Sequence, residues 1–162
     1  MSIFDKLKST LSGGAGKTFD KSKSEETFTF TALPESLDEL KALPEASLDD
    51  PFKTAALSLC ALCAYGADKA VGTEMLNWLR GPKGDMTPTE QQFLKDRFAD
   101  GHFYIPFSYF DGAKPENDYT PSIPFTVKIC TNPYSYQNEG YASLYLTSGG
   151  AESPRSFTLR KV

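Results

Sequence analysis

The sequence predicts an α+β domain. Its core would be an antiparallel sheet of four to five strands, ending in a C-terminal meander, with a buried helix and two flanking helices covering one face. Three observations lead there. Residues 52–65 are small or apolar at almost every position, the pattern of a helix buried all round. Residues 122–162 contain three strand-like segments of alternating character joined by short loops, which favours neighbouring antiparallel strands. Between them lies an aromatic-rich run, His102-Phe103-Tyr104-Ile105-Pro106-Phe107-Ser108-Tyr109-Phe110.

Composition narrows the class. At 162 residues the chain is long enough for one domain with a genuine core. A hydrophobic fraction of 40% and a charged fraction of 23% are those of an ordinary globular protein. The net charge of −4 argues against a nucleic-acid partner, because such affinity is built on Lys and Arg neutralising phosphates. The charge is uneven: residues 1–24 carry five Lys against two Asp, and residues 25–51 carry eight acids against Lys41. Three cysteines, an odd number with two inside a helical stretch, do not make a disulfide framework. The N-terminus lacks a signal-peptide apolar core, Ser2 stands where myristoylation needs glycine, and no apolar run approaches the ~20 residues of a membrane span. The expected location is cytoplasmic.

Taken in order, residues 1–24 read as a basic flexible tail with a short amphipathic helix over residues 2–11, and residues 25–162 as a single α+β domain. Ile3, Phe4, Leu7 and Leu11 share one stripe beside Lys6 and Lys8, which fits either weak membrane-surface contact or a tail helix docking on its own domain. Residues 12–24 are rich in Gly, Ser and Lys, as linkers are. Within them Gly13-Gly14-Ala15-Gly16-Lys17-Thr18 has a phosphate-loop ending, but Leu11 occupies the position of the first glycine, so nucleotide binding is not expected. Thr27-Phe28-Thr29-Phe30-Thr31 alternates as a strand with both phenylalanines inward. Residues 36–43 allow a helical turn or two. Asp49-Asp50-Pro51 starts the buried helix, and Gly66 is positioned to close it. A second helix is expected over 73–80, broken by Gly81-Pro82-Lys83-Gly84. Thr87-Pro88-Thr89-Glu90 is a capping box opening a third, which Gly101 closes. The meander follows: Ile123, Phe125, Val127 and Ile129 inward; then Ala142, Leu144 and Leu146; then Phe157 and Leu159.

At residues 104–121 and 140–160 the chain resembles an uncharacterised family of bacterial cytosolic domains, of unknown function, from anaerobic Gram-positive bacteria. The residues that carry the likeness are Tyr104-Ile105-Pro106-Phe107-Ser108-Tyr109-Phe110, Asn117-Asp118-Tyr119-Thr120-Pro121, Asn132-Pro133-Tyr134-Ser135-Tyr136, Gly140-Tyr141-Ala142 and Ser148-Gly149-Gly150-Ala151. Ser153-Pro154-Arg155 and Thr158-Leu159-Arg160 continue it, so that it covers roughly residues 27–162. The resemblance implies a fold and no activity. The family pattern continues into a tryptophan-rich strand where this chain stops, at Val162. The last strand is therefore expected to present an edge.

Several constellations bear on chemistry. Cys60-Ala61-Leu62-Cys63 is formally a C-x-x-C, and with Cys130 and His102 it has the composition of a zinc site. It lies mid-helix among Ala and Leu, however, where a thiol is packing material, so no metal and no cofactor is expected. His102, between a glycine cap and an aromatic strand, is the only histidine and the natural general base if there is one. Asp96 and Asp100 are one helical turn apart with Lys95 and Arg97 beside them, as on a solvated helix face. No catalytic residue is assigned.

The most informative surface is the outward face of the meander. There Tyr141, Ser143 and Tyr145 alternate with buried residues, and Thr126, Lys128, Thr158 and Arg160 join them; Tyr119, Tyr134 and Tyr136 sit in adjoining loops. Tyr and Arg are enriched at binding hot spots. The function expected is a non-catalytic binding or interaction module for a protein partner or small ligand, using this face or the groove beside the aromatic run. Its candidate contact residues are Tyr141, Tyr145, Arg160, Lys128, Tyr134, Tyr136 and His102. The alternative is a small-molecule or enzymatic pocket between helices and sheet, with His102 at its mouth. A solvated sheet face with ordinary cross-strand pairs is the plainest account of the same pattern.

Overall fold

The computed structural model describes residues 11–12, 21–150 and 154–160. Nine elements follow in chain order: β1 (Leu11–Ser12), β2 (Glu25–Phe30), α1 (Leu37–Lys41), α2 (Pro51–Ala67), α3 (Lys69–Arg80), α4 (Pro88–Arg97), β3 (Phe125–Cys130), β4 (Tyr141–Leu146) and β5 (Arg155–Arg160). Short 3₁₀ turns fill much of the rest, two of them at Ala99–Tyr104 and Pro106–Tyr109. Residues 2–10, the glycine-rich stretch 13–18 and Val162 lie outside the described residues.

Four strands form an antiparallel sheet in the order β2-β3-β4-β5, and β1 runs parallel beside β5, Leu11 opposite Leu159. Leu11 thus belongs to a strand, not to the end of an amphipathic helix. The reason is the outer edge of β5, whose backbone groups are satisfied by a neighbouring strand. The inward residues Phe28, Val127, Ile129, Ala142, Leu144, Leu146, Phe157 and Leu159 are buried, and α2 packs on them. Thirteen of its seventeen residues are buried, so it has no solvated face to alternate with. Asp50 caps its start by accepting the Lys53 N–H at 3.0 Å, and Pro51 occupies the first turn, where a missing N–H costs nothing.

Several boundaries differ from those the sequence suggests. Gly66 does not end α2, which runs through it to Ala67; Asp68 does the work instead. Its N–H donates to the Ala64 carbonyl at 2.8 Å, and its Oδ1 accepts the Ala70 and Val71 N–H groups, so one residue ends α2 and begins α3, four residues earlier than residue 73. β3 begins at Phe125: Pro124 has no N–H for a ladder, and Ile123, expected inward, is 76% exposed. The aromatic run is no strand. Asp100 and Gly101, both at positive φ, turn the chain out of α4 into the two 3₁₀ turns that carry it. The same turn separates Asp100 from the helical face of Asp96, whose carboxylate accepts the Gln92 amide at 2.8 Å.

Candidate functional site

The sheet is covered by α2 on one face; among the described residues no helix packs on the other. Strand alternation and register assemble that open face. On β4 and β5, Tyr141 stands opposite Arg160, Ser143 opposite Thr158, and Tyr145 opposite Ser156. On the other side Tyr145 meets Cys130 of β3, which is opposite Glu25 of β2. One row therefore reads Glu25, Cys130, Tyr145, Ser156 across the sheet. Thr27 faces Lys128 and Thr29 faces Thr126 in the rows beyond. Ser143 and Thr158 share a hydroxyl hydrogen bond of 3.1 Å, and Lys128 approaches Glu25 at 3.6 Å with both side chains solvated. Tyr141, Ser143, Tyr145, Thr158 and Arg160 are half-buried, as residues of an open sheet face are when their neighbours flank them.

The structure thus brings Tyr141, Tyr145, Arg160 and Lys128 onto one surface. Tyr134 and Tyr136 lie in the loop between β3 and β4. Tyr134 is 66% exposed, and Tyr136 is half-buried with the Lys21 ammonium 5.7 Å from its ring centre. That loop is anchored beside the face, since the Ser143 N–H donates to the Ser135 carbonyl and the Asn132 N–H to the Ser135 hydroxyl. His102 is not part of this surface. It is exposed in the Ala99–Tyr104 turn, edge-on to Tyr104 with ring centres 6.1 Å apart, while the next residue, Phe103, lies against Gly66 of α2.

Both C-x-x-C thiols are buried in α2. Burial, with Glu45 nearby, pushes the Cys60 thiol up; burial and the neighbouring Cys60 push Cys63 up. Neither offers a thiolate at neutral pH. Among the described residues no cluster of three or more His, Cys, Asp and Glu side chains could hold a metal ion.

Concavities flank the helical layer. A polar one of about 690 Å³ lies between α3 and α4, with Lys69, Glu74, Asn77, Gln91 and Lys95 among its walls. An apolar groove of about 620 Å³ lies where β2 ends and β3 begins, walled by Leu33, Ala64, Val71, Phe107, Ile123 and Phe125, with Glu35 and Asp68 as its charged walls among the described residues. It lies beside the aromatic run through Phe107, and His102 is not among its walls. Sequence reading missed its composition because the walls come from four separated stretches of chain with no shared period. It also left β2 out of the open face, although the alternation of Phe28 and Phe30 already implied that Glu25, Thr27 and Thr29 point the other way.

A family model described as a domain of unknown function matches residues 32–162. No curated protein and no solved structure matches the chain. Among the described residues no helix is long and apolar enough to cross a membrane.

Proposed function

The chain belongs to that family, DUF6935, and we propose that it is a non-catalytic binding module whose contact surface is the open Tyr/Arg face of the sheet. One observation carries the reading: a sheet with an apolar core on one side presents on the other a continuous set of Tyr141, Tyr145, Ser143, Thr158, Arg160 and Lys128. Tyrosine fixes few torsions on binding and offers both a ring and a hydroxyl, so Tyr141 and Tyr145, on the same side of an ordered strand with Ser143 between them, suit a protein surface. Arg160 beside Tyr141 adds a planar donor for a carboxylate or backbone carbonyl. The partner is a protein, and the site of action is the cytoplasm.

The test is native mass spectrometry of protein purified from its own host. Tyr145→Ala and Arg160→Ala are expected to keep stability within about 1 kcal/mol, as substitutions of partly solvated side chains usually do. They are also expected to lose the co-purifying protein. Variants that fold normally and retain the same partner at the wild-type level would reduce this surface to a solvated sheet face.

A further inference from the structure

The two edges of the sheet are treated differently. At one edge the backbone of β5 is paired with β1, the chain's own Leu11–Ser12. At the other, β2 stands last in the order. Its hydrogen-bond parity follows from two flanking bonds. Thr131 N–H donates to the Ser24 carbonyl at 2.8 Å, so Ser24, Glu26, Phe28 and Phe30 turn their backbone groups toward β3. Asp111 N–H donates to the Thr126 carbonyl at 2.8 Å, so Thr126, opposite Thr29, points away from β2, as the same parity requires. Glu25, Thr27 and Thr29 therefore direct their N–H and C=O groups outward, and none of them has a backbone partner there among the described residues. Glu25–Phe30 contains no proline, no lysine and no bulge, so its charge protection is confined to Glu25 and Glu26 at one end, and Thr27 to Phe30 is left open to pairing.

The apolar groove adjoins the end of this edge, since Thr31, Leu33, Pro34 and Glu35, the residues that follow β2, form one of its walls. We propose that the β2 edge and this groove together receive an extended strand of a partner protein, basic in character, with one large apolar side chain seated between Leu33, Val71, Phe107 and Phe125. The backbone of the added strand would pair with Thr27 and Thr29, the usual source of affinity in strand addition, and the groove would supply selectivity. Charge selects the occupant. The groove's charged walls among the described residues are two acids, Glu35 and Asp68, and Asp38 and Glu39 of α1 follow in the chain, whereas Glu25 and Glu26 of the strand itself are met by Lys128 and Lys23. A second copy of this chain pairing β2 with β2 would set two such acidic stretches side by side, whereas a basic strand is drawn to them. This surface borders the open sheet face along β2, where Thr27 and Thr29 belong to both, but it uses the outward backbone of that strand and the groove, and does not need Tyr141, Tyr145 or Arg160.

The test uses the full chain and a synthetic peptide about ten residues long, alternating lysine or threonine with valine and carrying one central leucine, against a counterpart with glutamate in place of lysine. The basic peptide is expected to bind in the micromolar range, at least about tenfold more tightly than the acidic one at low salt. On binding, amide exchange at the Thr27 and Thr29 N–H groups should slow at least about tenfold. Thr29→Pro removes an N–H that the β2–β3 ladder does not use, so it should keep the circular dichroism spectrum and abolish binding; Thr29→Val should bind normally. Should Thr29→Pro fail to fold, the exchange of the two wild-type amides decides alone. No binding of the basic peptide overturns the proposal. So does binding with both amides unchanged, which would make the groove a small-molecule or side-chain site. A concentration-dependent dimer that protects the same amides overturns it in favour of a second copy.

Discussion

Arg80 is only 3% exposed, yet it carries a charge. The fold satisfies it with an Nε bond of 2.6 Å to the Gly84 carbonyl and an Nη1 bond of 2.5 Å to Glu90 of α4. Burial alone would raise the pKa of Glu90; the hydrogen bond from Arg80, the Thr87 N–H and the Arg80 charge outweigh it and hold the carboxyl below the usual range. A carboxyl depressed in the folded state stabilises the protein above its unfolded pKa, and that contribution is lost as the pH falls through the folded pKa. Glu90→Gln should therefore flatten the acid limb of the melting temperature against pH, below about pH 4.5, whereas an unchanged limb would deny the ion pair a role. Arg80→Ala should cost about 1–3 kcal/mol in denaturant unfolding, because it empties a buried site and leaves the Gly84 carbonyl and a half-buried Glu90 without their donor. The thiols give a second residue-scale outcome. Cys130 is half-buried while Cys60 and Cys63 are buried, so a thiol reagent at neutral pH should modify one cysteine readily and the other two only as the protein opens. Prompt modification of all three would contradict the packing described for α2.

At the scale of elements, α2 and α3 meet where Gly72 approaches Tyr65. A Cβ on Gly72 would lie 2.3 Å from the Tyr65 Cα and 2.5 Å from its backbone nitrogen, neither of which can swing aside. Gly72→Ala should therefore destabilise by roughly 1–3 kcal/mol, by forcing the two helices apart, despite the higher helix propensity of alanine. A stabilised Gly72→Ala would place the crossing elsewhere. This contact also explains what was and was not legible. The body of α2 was readable because burial all round leaves an unbroken apolar run, and β2, β4 and β5 were readable because alternation survives wherever one face is wet. The ends were less so. Asp68 resembles any surface acid until its two roles in consecutive helices are seen. Ile123 extends the alternation of β3 by one step, although Pro124 removes the backbone donor that pairing there would need. The capping box, a local device of four residues, was fully legible: Thr87 Oγ1 accepts the Glu90 N–H at 3.2 Å, and Glu90 accepts the Thr87 N–H at 3.3 Å.

For the molecule as a whole, the open face was readable strand by strand, but its order across the sheet was not. Alternation tells which way Tyr145 points; only the pairing of β3 with β4 sets it between Cys130 and Ser156, and only the pairing of β2 with β3 brings Glu25 into the same row. Chemistry alone groups His102 with these residues, but the turn after α4 carries it to the helical layer instead. The proposed binding face is tested most directly by a photo-crosslinking phenylalanine analogue installed at Tyr145, on the open face, or at Gln92 of α4, on the helical layer, in the native host. A discrete covalent adduct with a partner protein is expected from position 145 and none from position 92; equal adducts from both positions, or an adduct from 92 alone, would place the contact surface elsewhere.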